Sequence, residues 1–224
     1  MELEYTVVRS SRRTVAIHIT PEGKIEVRAP HRVPARFLED FVQAKAGWIQ
    51  AHAARQRQRL AEQAAFALEE GTLLPILGQE LPILIRPERK TPALAEEGFL
   101  LPDGGDEARR KAWVEELYRQ TARRELPPRV KAWSARTGLA CNGLRITGAK
   151  TRWGSCSGRD SLSFSWRLMA APPRAVDYVV LHELAHTMHH DHSPDFWALV
   201  ARYEPGWQEC RELLRRVQDL AGWL

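Results

Sequence analysis

Between residues 14 and 27, TVAIHITPEGKIEV sets Val15, Ile17 and Ile19 on one side, turns through Pro21-Glu22-Gly23, and resumes with Ile25 and Val27. A period of two broken by a Pro/Gly turn predicts a β-hairpin, with His18 on its solvent-facing side. After RAPHRVP the period lengthens. Phe37, Phe41, Trp48 and Ile49 recur at helical spacing, Pro34 is placed to open the helix, and the helix is expected to run on through ARQRQRLAEQ. The apolar runs GTLLPILG and LPILIRPE flank a Gly-containing turn, and GFLLPDGG reads as another strand.

From Asp106 the pattern is helical again, with Trp113 and Leu117 on one face, until Pro127-Pro128 is expected to interrupt or kink it. GLRITGAKTRWGSCSGRDSLSFSWRL then reads as two β-type runs joined by a Gly- and Ser-rich connection, a second hairpin. Pro172-Pro173 closes it and opens a helix over RAVDYVVLHELAHTMHH; WQECRELLRRVQDLAGWL is an amphipathic helix that caps the core. The expectation is an α+β protein: a β-rich region with one long helix over 1–105, and a second region over 106–224 whose H-E-x-x-H helix packs on a small sheet.

Composition narrows the class. A chain of 224 residues with 44% hydrophobic and 27% charged content can bury a core, so disorder is excluded over most of it. No run approaches the roughly 18 apolar residues of a membrane span, and MELEYTVVRSSRR lacks the apolar centre of a secretory signal, so a cytoplasmic protein without a membrane partner is expected. Cys141, Cys156 and Cys210 are odd in number and far apart, which gives neither a disulfide framework nor a thiolate metal site. The net charge of +5 lies in residues 1–60, where 11 Lys and Arg face 6 Asp and Glu; the other 22 bases and 22 acids cancel. Such an excess attracts phosphate, yet aromatic and basic residues do not interleave there as a nucleic-acid platform requires. A solvated basic surface is the simpler reading.

The chemistry concentrates in VVLHELAHTMHHDHSPDFW, which holds five of the eight histidines within eleven positions. His182 and His186 are four apart, which on an α-helix means about 6 Å of rise and about 40° of rotation, so both imidazoles leave one face. They can share one ion. Zinc suits neutral imidazoles, and a catalytic zinc takes three protein ligands and keeps one position open. Glu183, beside the first ligand, can then act as general base without ligating. The third ligand is His189, His190, His192 or a distant carboxylate. On a continuing helix His189 and His190 lie about 10.5 and 12 Å along the axis from His182, too far to share an ion comfortably. Pro194 disfavours helix at Ser193, itself a natural N-cap, so the chain must turn between His190 and Ser193. Asp191 tolerates the left-handed conformation that such a reversal can require. The turn swings His192 back, giving His182, His186 and His192 as the ligand set.

The hairpin RSSRRTVAIHITPEGKIEVRAP, the pairs WI at 48–49 and LG at 77–78, and the blocks KTRWGSCS, LSFSWRL, YVVLHELAH and HSPDFW together resemble the YgjP-like metallopeptidase-domain proteins, relatives of the SprT-like zinc peptidases. The resemblance implies a zincin-like catalytic half and places a third histidine at the start of HSPDFW, which is His192. It also implies metal-dependent hydrolysis with loosely defined substrates. Ser165 and Asp191 stand where relatives often carry Asn, so no role can rest on an amide at 165.

Four residues are candidates for substrate contact: Trp153 as a cleft wall, Arg152 and Arg167 as oxyanion or anion partners, and Ser165 within the strand 162–168, expected at a sheet edge where an extended substrate pairs. Each has a structural alternative in packing or surface ion pairs. Phe196 and Trp197 are expected to pin the turn that presents His192. The leading reading is a zinc-dependent hydrolase acting on a peptide or protein substrate. Two others stay open: hydrolysis of nucleotide phosphoanhydrides, with the basic region gathering phosphate, and a zinc-stabilised, non-catalytic binding module. Glu183 separates them, since a structural site has no need of a carboxylate there.

Overall fold

The computed structural model describes residues 3–224; the first two residues of the N-terminal stretch lie outside it. The chain is mixed α and β, with six helices and three small sheets among the described residues. It divides into two compact units, Met1–Phe66 and Ala67–Leu224.

In the first unit β1 (Thr6–Ser10), β2 (Ala16–Ile19) and β3 (Ile25–Pro30) form a sheet in the order β1-β3-β2. The predicted hairpin is β2–β3, antiparallel with Ile17 opposite Val27 and Ile19 opposite Ile25, and His18 is exposed. Helix α1 (Ala35–Ala44) starts after Pro34, and α2 (Ala46–Ala65) follows a break at Lys45. The buried stripe is Leu38, Val42, Ile49 and Ala53, and the first three join Val27 and Ala29 in this unit's core. Phe37 and Trp48, expected on the helical apolar face, are 52% and 46% exposed: the buried face lies one position further along the helix.

The second unit begins well before residue 106. β4 (Leu73–Ile76), β5 (Gln79–Ile85), β6 (Ala93–Ala95) and β7 (Gly98–Leu101) form a sheet in the order β4-β5-β7-β6. It is bound to the rest of this unit, which moves the boundary from 105/106 to 66/67. Tyr118 donates from its hydroxyl to the Pro75 carbonyl, the Leu77 N–H donates to the Met169 carbonyl at 2.8 Å, and Tyr118 packs on Phe99 and Trp166 at 5.5 and 5.8 Å.

Helix α3 (Glu107–Thr137) is capped by the Asp106 carboxylate on the Arg109 N–H and ends at Gly138, in left-handed geometry. It runs unbroken through Pro127 and Pro128. Both prolines and the residues four before them, Arg123 and Arg124, are exposed, so water can satisfy the carbonyls that lose their intrahelical partners.

The third sheet holds three strands where a two-stranded hairpin was expected: β8 (Gly143–Thr147), β9 (Gly154–Cys156) and β10 (Ser161–Ser165), in the order β8-β10-β9. β10 pairs parallel to β8 and antiparallel to β9, so it is central and not an edge, and Trp166–Ala170 leaves it as a 3-10 helix. β8 and β9 are the edge strands. Helix α4 (Pro173–Ala185), apolar on nearly every side, buries Val176, Tyr178 to Leu181, Leu184 and Ala185. Helices α5 (Pro194–Tyr203) and α6 (Trp207–Trp223) close the unit, with Phe196, Val200, Cys210 and Leu214 buried. No described helix is long and apolar enough to cross a membrane.

Candidate metal centre

α4 ends at Ala185, earlier than the sequence pattern indicates, and His186 is its C-cap. The Thr187 and Met188 N–H groups bond three residues back, to Leu184 and Ala185, so the last turn tightens and the chain reverses from 186 onward. The reversal does not use a left-handed Asp191, since the described non-glycine residues with positive φ are Leu77 and Asp160. Asp191 instead accepts the Ser193 N–H at 3.2 Å, which shapes the entry into α5.

This turn brings His192 against the two helix histidines. His192 Nε2 lies 3.1 Å from His182 Nε2, and one nitrogen from each of His182, His186 and His192 can be chosen so that all lie within 4.8 Å of one another. Donors around a tetrahedral ion bound at about 2.0–2.1 Å stand roughly 3.3 Å apart, so the cluster fits one divalent metal after small ring rotations. His186 Nδ1 is 2.9 Å from the His189 carbonyl. A carbonyl only accepts, so Nδ1 carries the hydrogen and Nε2 keeps its lone pair for the metal. Burial, reinforced by His186, His192 and Arg211, pushes His182 down to about 3, and burial also lowers His186. Both rings are therefore held neutral, as ligands must be.

Aromatic rings lock the arrangement. Phe196 is fully buried, stacks on His186 at 4.5 Å and meets His182 and His192 edge-on, both at 4.9 Å. Trp197 stacks on His192 at 5.6 Å and on Trp207 at 4.2 Å. The expected pinning role is the one these contacts describe. His190 is outside the cluster, its Nε2 4.0 Å from Asp160, and His189 contributes only its carbonyl.

Glu183 lies in a different environment, 6% exposed and beside β9. Burial pushes its carboxyl up to about 7, opposed by a hydrogen bond from the Cys156 backbone N–H and by the charge of Arg152. Arg152, itself exposed, is thus near enough to act on the carboxylate. Trp153 lines a narrow crevice with Ala149, Lys150, Arg167, Gln218 and Ala221, and none of the three histidines lines it.

Ser165 and Arg167, expected to contact substrate, are structural. The Ser165 hydroxyl donates to the Ala149 carbonyl at 2.7 Å and caps the 3-10 helix. Arg167 is 4% exposed, donates to the Ala221 and Gly148 carbonyls at 2.8 and 2.9 Å, and stacks over Trp166. It falls past the end of β10, which is why the strand reading misplaced it. Sequence reasoning missed Gly154, the Cys156 N–H, the His189 carbonyl, and Tyr178, whose hydroxyl is 3.5 Å from His182 Nδ1. Backbone partners leave no mark in residue type, and GSC inside a Gly/Ser-rich stretch reads as loop.

A search of curated proteins gives no match. Among solved structures, the crystal structure of the metallopeptidase zymogen of Pyrococcus abyssi abylysin is similar at 21% identity and a TM-score of 0.35, over 40% of this chain and 89% of that one. That of the metallopeptidase zymogen of Methanocaldococcus jannaschii jannalysin is similar at 20% and 0.37, over 43% and 97%. The model of the YgjP-like metallopeptidase domain matches residues 13–217, from the first hairpin to within α6, and the chain belongs to that family.

Proposed function

We propose that this protein is a zinc-dependent hydrolase of metallopeptidase type with a zincin-like site. His182, His186 and His192 hold the ion, and Glu183 is the general base. The observation that carries the reading is the division of labour along one helix: two imidazoles meet His192, while the intervening Glu183 is buried beside an edge strand. A zinc ion bound there supplies Lewis acidity, polarising a carbonyl and easing loss of a proton from water. Glu183 accepts that proton at its carboxylate and returns it to the departing amine. Its burial favours the protonated form it passes through.

β9 supports a peptide substrate better than the strand expected from sequence. Ser165 N–H donates to the Trp153 carbonyl and Ser157 N–H to the Ser161 carbonyl, so odd-numbered positions pair with β10. The backbone of Gly154 and the Cys156 carbonyl therefore face the open edge, where an extended chain can pair. Against a non-catalytic module stands the ligand count. Among the described residues the group holds three histidines and no fourth side chain, whereas a structural zinc site closes its fourth position with protein.

The bond class is tested by giving one zinc-loaded preparation an unfolded protein, a mixed peptide library and nucleoside triphosphates in parallel. The reading predicts peptide cleavage; phosphate or pyrophosphate release without it would overturn the assignment in favour of phosphoanhydride hydrolysis.

A further inference from the structure

Gly154 has no conformational reason to be glycine. Its φ lies outside the positive range, unlike Gly138 at +76°, where nothing would meet a side chain within 4 Å. At Gly154 the constraint is space. A β-carbon there would stand 2.7 Å from both Cγ and Oε1 of Glu183 and 2.9 Å from Cδ. Carbon atoms in van der Waals contact stand about 3.5–4.0 Å apart. Because Cγ is among the atoms met, turning the carboxylate tip does not relieve the clash; the side chain must leave its χ1 well or the strand must move.

The same strand carries a second group that acts on Glu183. The Cys156 N–H, on the open edge of β9, attracts the Glu183 carboxylate and opposes the effect of its burial. α4 fixes the Cα of Glu183, but a glutamate has three further torsions. The empty position at 154 limits that freedom from one side.

We propose that Gly154 is a positioning residue for Glu183: its missing side chain is the slot that holds the carboxylate, so the edge strand β9, together with α4, sets where the proton acceptor lies. The catalytic consequence rests on Glu183 being the general base; the steric coupling does not. A misplacement of about 1 Å can cost about 100-fold in rate.

The test compares Gly154→Ala with the neighbouring Ser155→Ala, each alone and combined with Glu183→Ala, in the full chain. In metal-free protein, Gly154→Ala is expected to lower the unfolding midpoint by about 3 °C or more, the scale of an overpacked site. In the Glu183→Ala background, which lacks Cγ, Cδ and Oε1, the loss is expected to fall below about 1 °C. Equal losses in both backgrounds would overturn the proposal whether or not Glu183 is the base. If Gly154→Ala does not accumulate as folded protein, recovery of folding in the double variant supports the proposal and failure of both overturns it.

With zinc and a fluorescently labelled unfolded protein as probe, Gly154→Ala is expected to retain zinc, lose kcat by about 10-fold or more, and keep KM within about twofold. Ser155→Ala should do none of this. Unchanged kcat in Gly154→Ala, with Glu183→Gln inactive, would overturn the positioning role while leaving the base in place.

Discussion

Replacing Glu183 by Gln in the metal-free chain should make the protein more stable, by an amount that depends on pH. The carboxyl is pushed from 4.5 to about 7 because burial penalises its charged form more than Cys156 and Arg152 relieve it. A raised folded pKa means that Glu183 favours folding while protonated; this contribution is complete below about pH 4.5 and is lost as pH rises through about 7. A difference of about 2.5 units at about 1.4 kcal/mol each sets the full cost of holding the carboxylate inside at about 3 kcal/mol. Gln is nearly isosteric, stays neutral, and accepts the Cys156 N–H through its oxygen, so it avoids this cost. The variant should exceed the parent by about 1 kcal/mol at pH 5 and about 3 kcal/mol at pH 8.5. His182, whose pKa is depressed, works the other way, losing stability as pH falls below 6.5, but it is common to both proteins and cancels in the comparison. Urea unfolding followed by tryptophan fluorescence in chelator at the two pH values reads the difference. A variant no more stable than the parent at pH 8.5 would refute a desolvated carboxylate at this position.

His192→Ala should weaken zinc retention on dialysis against a mild chelator by about 10-fold or more, while His189→Ala and His190→Ala should bind nearly as well as the parent, because neither imidazole joins the cluster. Equal losses at 190 and 192 would refute the ligand set. Arg167→Leu should cost about 2–4 kcal/mol in urea unfolding, since it strips the Ala221 and Gly148 carbonyls of their donor, yet should leave zinc content unchanged; a fully stable variant with altered substrate affinity would restore the arginine to substrate binding.

The parts legible in the sequence are those written in periodicity and in spacing. Ile17 and Ile19 opposite Val27 and Ile25 make a hairpin whose alternation survives any packing. The 182/186 pair follows from helical pitch, and Pro194 announces a turn before His192. What the residues did not reveal depends on partners distant in the chain. Pro127 and Pro128 read as a break, but their exposure lets water take the freed carbonyls and α3 continues. Arg167 reads as a cation for substrate until Ala221, 54 residues later, takes its Nε hydrogen. β9 is three residues long and holds its place through pairing with β10 and contact with Glu183, neither visible in GSC.

Glu183→Gln in the zinc-loaded protein tests the central claim most directly, with metal content and hydrolysis of an unfolded protein measured on the same sample. The account predicts one zinc per chain, as in the parent, and a rate lower by about 100-fold or more. A variant that keeps its zinc and cleaves at the parent rate would contradict it.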